Sequence, residues 1–307
     1  RLLYQIFCKL MTMKNMEEFS GKTILITGGS GSIGSYLTEA ILQTNCKAIR
    51  VLSNNEYELY TLERKFPNSK KLRLFLGDIR DKGRLRVAAD GADIVFHAAA
   101  LKHVPLCEFN PFDAIQTNVI GTQNMIEACI QANVEKFVFI STDKASSPLS
   151  TLGATKLLAE RLTISAMAYR KSLTRPIMYC IRFGNVIGTR GSVLELFLDQ
   201  VKNDKPLTVT HNEMTRFTMT KKEAVNLILS TIEIAKGGEI FVLKMKALKI
   251  MDLAKSVISL YSKNPNSHEI IETGIREGEK LHESLITKEE VTRFKKIDDM
   301  YVLPPPD

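Results

Sequence analysis

A doubly wound α/β fold, with a mostly parallel sheet between helical layers, is what this sequence predicts, on three observations. Short β-branched runs alternate with longer amphipathic stretches through the first two-thirds of the chain. Those runs are almost wholly apolar, as strands are when helices cover both faces of a parallel sheet. A glycine-rich turn, Gly28 to Gly34, joins the first run directly to a helical stretch.

Taken in order, the apolar runs predict strands at Thr23–Thr27, Ala48–Ser53, Leu72–Gly77, Ile94–His97, Lys136–Ser141 and Ile177–Arg182. The amphipathic stretches between them predict helices at Ser32–Thr44, Glu56–Phe66, Lys82–Ala89, Phe112–Ala132 and Ala154–Lys171. After Arg182 the rhythm breaks. Shorter strands (Leu207–Thr210, Phe217–Thr220, Ile240–Leu243, Ile270–Thr273) mix there with helices at Val193–Lys202, Lys222–Ala235 and Met251–Tyr261. The organisation expected is an N-terminal extension (1–20), a dinucleotide-binding unit (21–182) and a smaller mixed α/β lobe, mainly substrate-binding (183–307). No repeat or low-complexity linker interrupts it, and the Pro304–Pro306 run reads as a loose tail.

Composition narrows the function. A chain of 307 residues with 44% hydrophobic and 25% charged residues has enough material for a full core. No run reaches the roughly 18 apolar residues of a membrane span. The opening Arg1–Met13 stretch lacks a signal peptide's apolar core, and a first residue other than Met reads as a piece of something longer. Five cysteines without a paired CxxC spacing read as reduced thiols, which points to the cytoplasm. Five histidines without ligand spacing predict no metal. The net charge of +8 is spread along the chain without a nucleic-acid-binding signature, so it suits a ligand carrying several phosphates better than nucleic acid.

The turn supplies the first candidate site. Its spacing is GxxGxxG: Gly28 permits the tight turn, Gly31 lets the backbone approach a pyrophosphate, and Gly34 lets the helix pack on the strand. Ser30, Ser32 and Ile33 complete the cradle, and the helix N-terminus turns free N–H groups towards the phosphates. A ribose-binding acid belongs at the tip of the second strand, about 20 residues on. Ser53-Asn54-Asn55-Glu56 stands there, with no carboxylate at the tip itself. That leans towards NADP, while Glu56 keeps NAD open by reaching for a 2′-hydroxyl. After the third strand, Asp78 beside Ile79 either accepts from an adenine amino group or caps the next helix.

These residues, together with His97-Ala98-Ala99-Ala100, Asn118 with Gly121-Thr122, and Ser141-Thr142-Asp143-Lys144, resemble the extended short-chain dehydrogenases/reductases, which have a Rossmann-type fold. Within them, several stretches resemble the bacterial UDP-N-acetylglucosamine 4,6-dehydratases. They are Ala99–Pro105, Ser141–Ala145, Arg182–Val186, Arg190–Val193, Met214–Phe217 and Gly274–Leu281, and the match runs from about Gly21 to Pro304. One position departs: the YxxxK pair of the superfamily reads Leu152-Gly153-Ala154-Thr155-Lys156, and Leu152 carries no acid–base group.

The resemblance implies internal redox on a nucleotide sugar, with hydride leaving C4, water lost across C5 and C6, and hydride returned to C6. It assigns Asp143 as acid for the departing hydroxyl, Lys144 as base at C5, Thr142 to the C4 oxygen and Lys156 to the nicotinamide ribose. Ala98, Ala99 and Ser141 join the cofactor site by the same resemblance. Lys102, Asn185, Val193, Thr210, Arg216, Arg276 and Glu279 are expected around the UDP-sugar, with Arg216 and Arg276 on its diphosphate. A homo-oligomer is also implied. A base near pH 7 requires Lys144 to fall from about 10.4, which burial and the Lys156 charge favour and Asp143 opposes. The Leu281–Glu290 segment with Asp299–Val302 resembles enzymes that invert C5, whereas Asn54–Tyr57 and the missing Tyr resemble retaining ones; inversion is favoured. The other readings are a retaining dehydratase, a nucleotide-sugar epimerase, and a catalytically silent dinucleotide-binding module.

Overall fold

The first strand shows how the sheet is built. β1 (Thr23–Thr27) is buried along its length, with Ile24 and Ile26 in one hydrophobic cluster and Leu25 in another. β4 (Ile94–His97) divides in the same way, with Ile94 and Phe96 against Val95. β5 (Lys136–Ile140) sets Val138 and Ile140 against Phe137 and Phe139. Period-two alternation between two covered faces is why these strands read as unbroken apolar runs. Each such side chain taken wholly out of water contributes about 1.5–3 kcal/mol. The computed structural model describes residues 17–170, 174–297 and 300–305. The Arg1–Met13 stretch with Cys8, and Asp299, lie outside the described residues.

The remaining strands are β2 (Ala48–Ser53), β3 (Leu72–Leu76), β6 (Ile177–Arg182), β7 (Asn185–Val186), β8 (Leu207–Val209), β9 (Thr215–Met219), β10 (Ile240–Leu243), β11 (Lys246–Lys249), β12 (Ile270–Glu272), β13 (Lys295–Ile297) and β14 (Met300–Leu303). The main sheet has nine strands in the order β13-β14-β10-β6-β5-β4-β1-β2-β3. From β3 to β10 every pairing is parallel, and the β13–β14 hairpin closes one edge antiparallel. Strand order reverses at β1, which lies between β2 and β4; the carboxyl ends there open the crevice where ligands bind in such sheets. Two small sheets, β11-β9-β7 and β12-β8, lie outside it. The helices Val193–Lys202 and Ile250–Tyr261 share a third cluster with β8 through Phe197, Val201, Leu207, Val209, Ala254 and Val257.

Four expectations need correction. The single helix predicted over Phe112–Ala132 is a chain of pieces: Val104–Phe109, Pro111–Ala114, a widened π turn Ile115–Ile120 and Gly121–Gln131. Pro105 and Pro111 each begin a short helix because proline lacks only an N–H that a first turn leaves unpaired. The widened turn carries buried Asn118, whose amide bonds both the N–H (2.8 Å) and the carbonyl (3.1 Å) of Leu101. Second, the helix expected from Ala154 begins at Thr151, because the Ser150 hydroxyl caps it by accepting from the Gly153 N–H at 3.0 Å. Third, the strand Ile240–Leu243, expected in the smaller lobe, joins the main sheet beside β6. Fourth, the β13–β14 hairpin, where the sequence predicted no strand, edges that sheet just before the Pro304–Pro306 run. Among the described residues, no helix is long and apolar enough to cross a membrane.

Candidate functional site

The glycine turn is held by contacts that leave no room for side chains. Gly28 has a φ of +65°, and a Cβ there would stand 2.7 Å from the Ala99 nitrogen. At Gly34 a Cβ would strike the Gly28 carbonyl oxygen, so the helix Ser32–Leu42 starts hard against the turn. Gly31 differs: a Cβ on it would meet only the Gly28 oxygen, at 3.0 Å. Gly31 sits at the helix N-cap with no side-chain cap and no acidic residue in the first turn. The N–H groups of Ser32, Ile33 and Gly34 thus have no partner inside the helix and meet an anion well. That geometry fits a dinucleotide pyrophosphate.

At the tip of β2, the Ser30 hydroxyl lies 2.8 Å from that of Ser53 and 2.7 Å from Glu58 Oε2. Glu58 is a carboxylate that the sequence reading passed over in favour of Glu56, which is exposed. One helical turn carries Glu58 back over the strand tip, because Asn55 caps the helix Glu56–Lys65 and accepts from the Glu58 N–H at 3.0 Å. Arg190 arrives from far along the chain. Its guanidinium pairs with Glu58 and bonds the Ser30 carbonyl (3.1 Å), and its N–H bonds the Ser32 hydroxyl (3.1 Å). Lys102 Nζ holds the Arg190 carbonyl at 2.6 Å. Asn54 is exposed and reaches Asp78 at 3.4 Å. Asp78 itself is bound by Arg80 at 2.7 Å, and that hydrogen bond holds its carboxyl below the usual range. Asp81, not Asp78, caps the helix that follows. Ile79 is core and packs against Gly121.

Behind the crevice, His97 is fully buried between two hydroxyls, Nδ1 at 2.7 Å from Thr27 and Nε2 at 3.1 Å from Thr122. The Thr122 hydroxyl donates to the Asn118 carbonyl (2.7 Å), so it accepts from His97, which carries its proton on Nε2. Burial, aided by the Lys156 charge, pushes the imidazole down to about 3 and keeps it neutral.

The acid–base candidates gather at the carboxyl end of β5. Asp143 has no exposure; it accepts from the Thr142 hydroxyl (2.9 Å) and from Lys144 Nζ (3.1 Å) on Oδ1, while its Oδ2 has no hydrogen-bond partner. Lys144, with a fifth of its side chain exposed, also faces Glu283 Oε1 at 3.4 Å. Burial draws its ammonium down, but the charges of Asp143 and Glu283 outweigh that and hold it above its ordinary value. The expectation of a lysine lowered towards neutrality is therefore overturned at Lys144. Lys156 is the lysine brought low: burial takes it to about 8, against the opposing charge of Glu160. Its Nζ donates to the Ile140 carbonyl (2.6 Å) and lies 4.2 Å from the Phe139 ring centroid. Leu152 is buried with Cys107 and Ala114 in a small apolar cluster.

A buried network backs this cluster. Arg182 pairs with Glu160 (2.7 Å) and with Glu290 (2.8 Å), and also bonds the Leu285 carbonyl (3.0 Å). Glu160 in turn accepts from the Ser141 hydroxyl. Of the expected sugar-site residues, Arg216 is buried and bonds Glu279 (2.9 Å) and the carbonyls of Thr215 and Leu281. Arg276 is exposed, and its N–H approaches Glu279 at 3.4 Å. Val193 begins its helix against the third cluster, Thr210 bonds the Met214 sulfur (3.1 Å), and Asn185 is exposed in β7. The Arg190–Glu58 pair, Glu283 and the Arg182–Glu290 link were not singled out in the sequence. Each depends on chain crossings that spacing does not encode.

The chain matches the family described as polysaccharide biosynthesis protein over residues 24–305. It is 52% identical over 94% of its length to an uncharacterized membrane protein of Methanocaldococcus jannaschii, covering 87% of that protein. It is 41% identical to the inverting UDP-N-acetylglucosamine 4,6-dehydratase of Campylobacter jejuni (94% of this chain, 84% of that one) and 40% identical to a UDP-glucose 4-epimerase of Rickettsia canadensis (93% and 84%). Among solved structures, Pen from Bacillus thuringiensis superposes with a TM-score of 0.90 at 42% identity, over 94% of this chain and 89% of that one. The NAD-bound dTDP-glucose 4,6-dehydratase DesIV of Streptomyces venezuelae shares the fold at 23% identity, with a TM-score of 0.76 over 86% and 88%. The chain belongs to the polysaccharide biosynthesis protein family, a branch of the extended short-chain dehydrogenases/reductases that holds nucleotide-sugar dehydratases and epimerases.

Proposed function

We propose that this protein is an NADP-dependent UDP-N-acetylglucosamine 4,6-dehydratase that inverts C5, making a UDP-4-keto-6-deoxy-HexNAc for surface glycan synthesis. The observation that carries the reading is the Asp143–Lys144 pair at the carboxyl end of β5, 3.1 Å apart and beside the crevice. The 41% identity to the Campylobacter jejuni dehydratase supports it.

A bound nicotinamide dinucleotide would supply the hydride acceptor and donor. The chain holds it with the backbone of Gly28–Gly34, with Ser53 and Asn54 near its adenosine ribose, and with Lys156 near the nicotinamide ribose. NADP is favoured because β2 itself ends without a carboxylate and Glu58, which the next helix brings over its tip, already has its charge met by Arg190. Lys144 serves as the base at C5, Asp143 as the acid for the C6 hydroxyl, and Thr142 positions the C4 oxygen. Residues 21–182 bind the dinucleotide, and most of 183–307 binds the UDP-sugar, with Arg216, Arg276 and Glu279 on the substrate side. We place the enzyme in the cytoplasm as a homo-oligomer. Leu106, Phe109, Phe112, Ile115 and Leu158, exposed on neighbouring helical segments, support assembly.

An epimerase reading has the Rickettsia relative in its favour; the buried Leu152 leaves the C4 hydroxyl without its usual proton acceptor in either reaction, whereas the Asp143–Lys144 pair answers a need that only water loss has. Mass spectrometry after incubation with UDP-N-acetylglucosamine separates the readings. Dehydration removes one water without net cofactor use, whereas epimerisation conserves mass and sinks the dehydratase assignment. Proton NMR of the product in deuterated buffer is expected to show the L-arabino configuration; a D-xylo product means retention.

A further inference from the structure

The acid–base site contains a third ionisable side chain beyond the acid and the base of the dehydratase chemistry. Glu283 is almost wholly buried, and its Oε1 stands 3.4 Å from Lys144 Nζ, which also meets Asp143 Oδ1 at 3.1 Å. Its other oxygen has no hydrogen-bond partner; the nearest cation is Lys280, at 3.6 Å. The segment that carries it is anchored on both sides. Lys280 Nζ donates to the Ser146 carbonyl (2.7 Å), and His282 meets the Thr215 hydroxyl (2.8 Å). A carboxylate is costly to bury unless charge answers it, and here Lys144 answers one oxygen and Lys280 the other.

We infer that Glu283 is a positioning residue of this site: it fixes Lys144 between two carboxylates and decides where the mobile proton of the cluster rests. The inference builds on the dehydratase reading of Asp143 and Lys144. The charged groups that face Lys144 are Asp143, Glu283 and Arg216, with Lys280 beyond Glu283. Two negative charges against one positive one favour the ammonium, as its raised proton affinity reflects.

An ammonium cannot take the C5 proton. It first breaks one N–H bond and passes that proton to Asp143 Oδ1, 3.1 Å away, where an O–H bond forms. That single transfer creates both partners of the elimination, a neutral amine at Lys144 and a protonated acid at Asp143. The C5 proton then moves to Nζ, the Asp143 proton leaves with the C6 hydroxyl as water, and the pair returns to its resting state. Glu283 takes no proton in this sequence. Its charge opposes the first transfer and so sets the fraction of the pair that carries the neutral amine and the protonated acid together.

The test has two arms on the full chain. In the first, lysines carrying ¹³C at Cε are titrated by NMR in wild type, Glu283→Gln and Glu283→Asp, with Lys144→Met assigning the signal. The Lys144 midpoint is expected to fall by about one pH unit or more in E283Q and by less in E283D. A midpoint unmoved in both variants overturns the inference; E283D keeps this arm decisive should E283Q not fold. In the second arm, the falling limb of the pH profile for water loss from UDP-N-acetylglucosamine, where the pair gives up its last proton to solvent, moves to lower pH in E283Q. A uniform fall in rate with an unmoved limb means a structural role only and overturns it. A wild type that loses no water at any pH refutes the dehydratase reading instead, and the NMR arm still decides the role of Glu283.

Discussion

The glycine turn and the cluster around Lys144 lie at the carboxyl edge of one sheet, yet they are assembled in opposite ways. The turn is made within seven consecutive residues, mostly from backbone, and its requirement is empty space: a Cβ at Gly28 or Gly34 collides with neighbouring backbone. The cluster is made from side chains that meet only after the chain has crossed itself, Asp143 and Lys144 with Glu283, and Arg182 with Glu160 and Glu290. The turn therefore depends on which residues are absent, and the cluster on which charges are answered. Damage should look different in the two places, as loss of ligand binding in the first and as loss of stability or altered proton affinity in the second.

The largest effect is expected where the cluster is tied to the fold. Arg182→Leu leaves Glu160 and Glu290 without their buried partner and should cost about 3–5 kcal/mol of stability. Urea unfolding measures it; a loss below about 1 kcal/mol would show that the network does not hold the C-terminal segment in place. The turn should respond in the other way. Gly31→Val, at a cradle glycine whose Cβ would meet only the Gly28 oxygen, should lower the midpoint of unfolding far less than Arg182→Leu does. Calorimetry should nonetheless find NADP binding weaker by a hundredfold or more, about 2.7 kcal/mol. Undiminished binding would remove the turn as the pyrophosphate site.

A smaller effect sharpens the boundary between the two regions, at His97. The unfolded chain protonates this imidazole near 6.5, whereas burial holds the folded value at about 3. A depressed folded value means that the unfolded state binds the extra proton. The histidine's contribution is thus full above about 6.5 and is lost as pH falls from there towards 3. Between pH 7 and pH 5 the loss should be about 2 kcal/mol, read from urea unfolding at each pH. His97→Asn should flatten that dependence. An unchanged slope in the variant would place the acid sensitivity elsewhere.

By itself, the sequence determined the parallel sheet and the glycine turn that starts the first helix. Burial on two faces leaves a period-two apolar run in each strand, and a turn packed too tightly against backbone for side chains is written as glycines within one window. The Asp143–Lys144 pair was legible too, though only through its resemblance to a known family. The tertiary structure alone decided the rest. It broke the stretch after Phe112 into pieces so that Asn118 could bond Leu101, and it brought Arg190 over Ser30. It put Leu152 in an apolar cluster and set Glu283 against Lys144, reversing the expected direction of that lysine's proton affinity. The physical reason is range. Strand patterning and glycine turns arise from neighbours a few residues apart, whereas a charge responds to every group packed around it, however far along the chain that group lies.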